Sequence, residues 1–173
     1  MMGNLKSILI AALSLTLIAG AATAALAGTN ALTKDRIEEN VETAANAARK
    51  QVIGAESFEQ RELADGDETV VYYAALDASG AEVGYVFTAT VTGKAAGLTV
   101  MTGMDLTGAV TGVAVTENNE TAGYVDKVTK GGLLTALEGR TDTDVDTVSQ
   151  ATKTSKGVKK AVDEALRWFK IVR

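Results

Sequence analysis

The hydrophobic and polar positions of the chain fall into stretches with different periods. From Ile8 to Ala27 no charged residue occurs, and only Ser14, Thr16, Gly20 and Thr23 interrupt the apolar and alanine positions. About 20 such residues suit a bilayer-spanning helix. Lys6 and the amino terminus precede the run, which by the positive-inside tendency keeps the N-terminus cytoplasmic. Ala25-Leu26-Ala27 before Gly28 also reads as a small-x-small cleavage site, so a removed signal peptide is the alternative to an uncleaved anchor. Both readings carry the remainder of the chain out of the cytoplasm. A buried core helix fits worst, because the run has no polar face.

Beyond Gly28 the period becomes that of an amphipathic helix. Thr33 reads as an N-cap with Asp35 in the first turn, and Ile37, Val41, Ala44, Ala45, Ala48 and Val52 form one modest apolar face. The helix is expected to reach about Gln51 and to pack along the following domain. From Val70 the pattern is that of strands: Val70 to Leu76, Val83 to Thr92, Leu98 to Met104 and Ala109 to Thr116, rich in Val, Tyr, Phe and Thr. Asp77-Ala78-Ser79-Gly80 and Asp105-Leu106-Thr107-Gly108 are turns between them. A polar loop from Glu117 to Tyr124, a short helix from about Lys130 to Leu137 and a final helix from Thr154 or Ser155 to Ile171 complete the chain. Val158, Val162, Ala165 and Phe169 form the final helix's inner face, widened by Leu166, and Trp168 and Phe169 anchor it in the core.

These elements predict an α+β domain with an antiparallel sheet of about four strands or more, packed by helices. The expected division is 1–28 as anchor or signal segment, 29–53 as membrane-proximal helix and 54–173 as the folded domain. No internal repeat is present. Some 145 residues outside the apolar segment suffice for one ordinary domain with a core.

Composition narrows the chemistry by what it lacks. The 173 residues include no cysteine and no histidine. Disulfides, cysteine-held iron–sulfur clusters, covalent c-type haem, Ser-His catalysis and the usual catalytic zinc sites are thereby excluded. The carboxylates show no EF-hand spacing, although an all-carboxylate metal site stays open. No Gly-x-Gly-x-x-Gly follows a strand, so there is no nicotinamide fingerprint. The net charge of −5 disfavours broad binding to nucleic acid or anionic lipid.

Against that acidic whole, one stretch is basic. Asp146-Thr147-Val148-Ser149-Gln150-Ala151-Thr152 runs into Lys153-Thr154-Ser155, with Lys156, Lys159 and Lys160 close behind. Helix N-termini carry partial positive charge and ordinarily attract Asp or Glu. A lysine-rich first turn with several hydroxyls makes better electrostatic sense if an anion such as phosphate sits on the free N–H groups. The plainer reading is that Ser149, Thr152 and Thr154 cap a helix and the lysines are solvated.

The stretch resembles the flavin-attachment motif D-x-x-[ST]-G-A-T, continuing x-T-S, of the FMN-binding domain found in the G-type subunit of Rnf electron-transport complexes and in the related subunit of sodium-pumping quinone reductases. Asp146, Ser149, Ala151, Thr152, Thr154 and Ser155 match it, and Gln150 stands where glycine is usual. Leu32-Thr33-Lys34-Asp35 with Ile37 and Asn40 is similar to the segment after the family's anchor. Gly103-Met104-Asp105 with Gly108 to Val113 is similar to its V-G-I-D…G-x-I-x-G hairpin. Glu120-Thr121-Ala122-Gly123 is similar to its E-T-P-G loop, with Ala122 replacing proline.

The resemblance implies FMN as cofactor, joined by a phosphoester to Thr152. The implied surroundings are Asp146, Ser149, Gln150, Ala151, Lys153, Thr154 and Ser155 at the phosphate, and Glu120, Thr121, Gly123 and Tyr124 near the ring. No separate catalytic residue or metal ligand is implied. It further implies an electron carrier within a membrane ion-translocating complex, a flavin transferase for attachment, and a domain on the extracytoplasmic side. Alternatives are the related subunit of the quinone-reductase pump, a stand-alone extracytoplasmic flavin carrier, and a cell-surface binding or scaffold domain without redox chemistry.

Overall fold

The computed structural model describes residues 2–173, without the side chains of 2–9, 11 and 30–41. The chain divides into two units, residues 1–44 and 45–173. Helix α1 (Met2–Val52) is continuous. The expected start at Thr33 is therefore replaced by uninterrupted helix: no proline intervenes, and a lone glycine such as Gly28 costs only about 1 kcal/mol in a helix. The side chains of Lys6, Thr33, Asp35, Ile37, Asn40 and Val41 lie outside the described residues, and of the expected apolar face Ala44 is exposed while Val52 is buried.

In the first unit the stretch Ala12–Thr29 is long and apolar enough to cross a membrane, a test that a signal sequence also passes. The hydroxyls of Ser14, Thr16, Thr23 and Thr29 each donate to the carbonyl one turn earlier, at 2.8 to 2.9 Å. Polar side chains satisfied in this way add little cost in an apolar medium.

The second unit is built on a five-stranded antiparallel meander of β1 (Ser57–Asp65), β2 (Glu68–Leu76), β3 (Glu82–Thr92), β4 (Ala96–Asp105) and β5 (Val110–Glu117), adjacent in chain order. The four expected strands are present, and β1 is additional. Its residues are mostly charged or polar because it is an edge strand, with Phe58 packing toward one face of the sheet and Leu63 toward the other. Polar edge strands resist pairing with foreign chains and leave little hydrophobic signal. Both expected turns form around an aspartate: Asp77 accepts from the Ser79 and Ala81 N–H groups, and Asp105 from those of Thr107 and Ala109.

Alternation along β3 feeds two cores. Tyr85 and Phe87 face a large cluster completed by α2 (Tyr124–Lys130), α3 (Leu133–Leu137) and α4 (Thr152–Val172). Val158, Val162, Ala165, Leu166, Trp168 and Phe169 of α4 are all buried there, as their spacing predicts. Val86 faces the smaller cluster, with Val52, Ile53, Ala75 and Met101. Here α1 ends almost on the backbone of the sheet. The Val52 carbonyl accepts from Thr111 Oγ1 at 2.6 Å, and a Cβ on Gly103 would lie 2.3 Å from that carbonyl oxygen. Glycine is required at that position by this approach.

Two helices, α2 and α3, replace the one expected between Lys130 and Leu137. Gly131 and Gly132 separate them, with Gly132 at φ 77°. Tyr124, expected in the loop, opens α2. Helix α4 begins at Thr152, two residues before the expected start.

The far end of α4 holds the β1–β2 hairpin. Asp65 accepts from Trp168 Nε1 at 2.9 Å and from Arg167 Nη1 at 2.7 Å. The Trp168 hydrogen bond, then that of Arg167, holds the carboxyl below its ordinary pKa. A depressed carboxylate pKa stabilises the fold above the unfolded value, near 3.9, and loses that contribution as pH falls through the folded value. The thermal midpoint of the wild type is therefore expected to drop more steeply between about pH 5 and about pH 3 than that of Asp65→Asn. Parallel pH profiles for the two proteins would contradict this role.

Candidate functional site

The start of α4 is open. Its N-cap is Ala151, whose methyl group accepts nothing, and no side chain caps the helix or places an acid in its first turn. The first intrahelical bond is Ser155 N–H to Ala151 C=O at 2.8 Å. The N–H groups of Thr152, Lys153 and Thr154 accordingly precede the helical ladder. Thr152 is exposed at the first helical position, and Lys156, one turn on, lies on its face. Lys153 is exposed beside it. Lys159, expected among the surrounding lysines, instead donates to the Val145 carbonyl at 2.6 Å.

The chain reaches this start through a tight turn. Ala151 N–H bonds Val148 C=O at 3.0 Å, and Gln150 sits at φ 64°, the one non-glycine residue at positive φ among the described residues. A left-handed conformation costs an L-residue about 1 kcal/mol, which glycine avoids. The departure from glycine at this motif position thus coincides with the backbone geometry that glycine serves. The Gln150 side chain is held: its Oε1 accepts from Lys127 Nζ at 3.0 Å.

Not every hydroxyl of the motif faces outward. Thr154 and Ser155 are buried. Ser155 Oγ accepts from Val148 N–H at 3.1 Å, closing the turn onto the helix. Thr154 Oγ1 donates to Glu120 Oε2 at 3.0 Å. Both side chains frame the helix start, while Thr152, Ser149 and Lys153 are exposed around it. Asp146 is exposed at the other end of the stretch and makes no hydrogen bond that joins it to this cluster.

Glu120, expected beside a flavin ring, directs its carboxylate inward. Oε1 accepts from the N–H groups of Lys94 at 2.7 Å and Ala95 at 3.2 Å in the β3–β4 turn. Its other oxygen takes the Thr154 hydroxyl, so one side chain joins the β5–α2 loop, the β3–β4 turn and the first turn of α4. Gly93 and Gly157 make room for this junction: a Cβ on Gly157 would lie 2.8 Å from Gly93 Cα, and one on Gly93 would lie 2.3 Å from Glu120 Oε1. Thr121 and Gly123 are exposed on the same loop, Gly123 at φ 84°.

Tyr124 lies next to them with Lys94 Nζ 3.9 Å and Lys127 Nζ 5.5 Å from its ring centroid. The Lys94 ammonium lowers the phenol's pKa, first by hydrogen bonding and then by its charge. Lys94 and Lys127 thereby join the functional candidates, although neither stands out along the chain. Lys127 shares a helix face with Tyr124 three residues earlier, which is a usable local signal. Lys94 carries none, because its neighbours here come from distant parts of the chain.

The contacts of Glu120 and Lys127 bring the uncapped helix start, with its exposed Thr152, to the loop that carries the half-buried Tyr124 and its two neighbouring ammonium groups. A phosphorylated, planar cofactor fits these features. Among the described residues no group of three or more acidic side chains is arranged to hold a metal ion.

Glu120→Ala removes the acceptor of the Lys94 and Ala95 N–H groups and of the Thr154 hydroxyl together. Leaving such groups unsatisfied costs about 1–3 kcal/mol. The urea midpoint is expected to fall accordingly, and an unchanged midpoint would show that the junction does not hold the site.

Residues 93–167 match the family model of the FMN-binding domain, and residues 1–52 match that of the RnfG N-terminal region. A search of curated proteins found no match. The first match contains the β3–β4 turn, Glu120, Tyr124, Lys127 and the whole start of α4. The chain therefore belongs to the FMN-binding-domain family in the form that carries an RnfG N-terminal region, and it is an FMN-carrying electron-transfer subunit of an Rnf-type complex.

Proposed function

We propose that the FMN is covalently held, through a phosphoester on the Thr152 hydroxyl. The observation that carries this reading is the uncapped start of α4, with an exposed threonine as its first residue and Lys153 and Lys156 alongside. In attachment the Thr152 oxygen gives up its proton and bonds to phosphorus as the flavin donor's leaving group departs. The chain gains one FMN less the elements of water. The ester keeps one negative charge, which the first-turn N–H groups and the lysines stabilise. Ser149, Gln150 and Ala151 form the turn against the phosphate, Asp146 precedes that turn, and Thr154 and Ser155 keep it in place. Thr121, Gly123 and Tyr124 are the neighbours of the ring.

FMN, when bound, supplies reversible electron exchange. The protein's part is to fix the cofactor and set its surroundings. Attachment requires a flavin transferase as a partner. The apolar segment 1–28 serves as a single-pass anchor with a cytoplasmic N-terminus, 29–53 as the membrane-proximal helix, and 54–173 as the flavin domain on the extracytoplasmic side. Lys6 before an uncharged run supports this orientation.

After co-expression with a flavin transferase, a denaturing gel under ultraviolet light is expected to show a fluorescent band. Intact mass should rise by one FMN less water. Thr152→Ser retains both signals and Thr152→Ala loses both. Covalent flavin remaining in Thr152→Ala would overturn the assignment.

A further inference from the structure

We propose that Lys127 is a positioning residue of the flavin site, acting through Gln150; this rests on attachment at Thr152. The turn before α4 needs a left-handed residue at position 150, and glutamine occupies it at φ 64°. Glutamine gives up the conformational freedom of glycine but gains a side chain that can be gripped. Lys127 Nζ donates to its Oε1 at 3.0 Å.

The grip comes from a firm support. Helix α2 is fixed by the fully buried Val128, and its end packs directly on the same turn: a Cβ on Gly131 would lie 2.6 Å from Val148 Cγ1. The backbone on both sides of Lys127 is bonded, its N–H to Gly123 C=O at 3.1 Å and its C=O to Gly131 N–H at 2.8 Å. Lys127 thus ties the 148–151 turn to α2 at a second point, two residues before the hydroxyl that takes the phosphate. The ring of Tyr124 lies 5.5 Å from the same ammonium, so one side chain borders both the phosphate end and the ring end of the site. In this chain a lysine latch holds Gln150 in the left-handed conformation that glycine would adopt without strain.

The test uses the full chain in detergent with a flavin transferase and its flavin donor, following covalent incorporation by intact mass. Lys127→Met, matched in length but unable to donate, is expected to slow incorporation about fivefold, the size of one partly exposed hydrogen bond. Lys127→Arg restores the rate. Gln150→Gly alone incorporates at least as fast as wild type, and on that background Lys127→Met has no further effect. In the flavin-free chain, amide hydrogen exchange across 146–153 rises in Lys127→Met and returns to the wild-type level in Lys127→Arg. Equal slowing by Lys127→Met on both backgrounds, or on neither, would overturn the latch. A wild type that takes no flavin on Thr152 would instead overturn the site reading on which it rests.

Discussion

The Glu120 carboxylate is the interaction on which the site depends. It accepts hydrogen bonds from two backbone amides of the β3–β4 turn and from the Thr154 hydroxyl. Hydrogen bonds to an ionised acceptor are worth about 1.5–3 kcal/mol each when well placed. Three of them fix the first turn of α4 against two loops that are distant in sequence. With Thr154 turned inward, helical geometry leaves Thr152 outward. The Thr152 hydroxyl is exposed because its neighbour two residues on is held.

The same helix shows how stability and function share one element. Its inner face, from Val158 to Phe169, buries apolar surface against β3 and β4, and its far end clamps the β1–β2 hairpin through Trp168 and Arg167. Removing a buried ring such as Phe169 from a core of this kind costs about 3–5 kcal/mol. That packing fixes the helix so firmly that its N-terminus can stay uncapped. On the proposed attachment, the flavin phosphate completes the electrostatics there.

Much of this was legible in the sequence where local physics decides. The 3.6-residue spacing of Val158, Val162, Ala165 and Phe169 marked the buried face of α4, and Asp-to-Gly turns marked two hairpins. Edge strand β1 was not legible, since Glu59, Arg61 and Glu62 give it the composition of a loop. Thr154 and Ser155 read as ligand hydroxyls because residue type does not reveal direction; their partners Glu120 and Val148 do. Lys127 was missed because its partner, Gln150, belongs to another segment and its meaning depends on the φ angle there. Lys94 was missed for the same reason, as only the fold brings it to Tyr124.

The central claim is that the exposed first residue of α4 carries the cofactor. Fragmentation of the tryptic peptide 141–153 from the flavin-loaded chain tests it most directly. That peptide offers the hydroxyls of Thr141, Thr143, Thr147, Ser149 and Thr152. The account predicts the FMN phosphate on Thr152 and on none of the others. An adduct on Ser149 or Thr147, or on a peptide elsewhere in the chain, would contradict it.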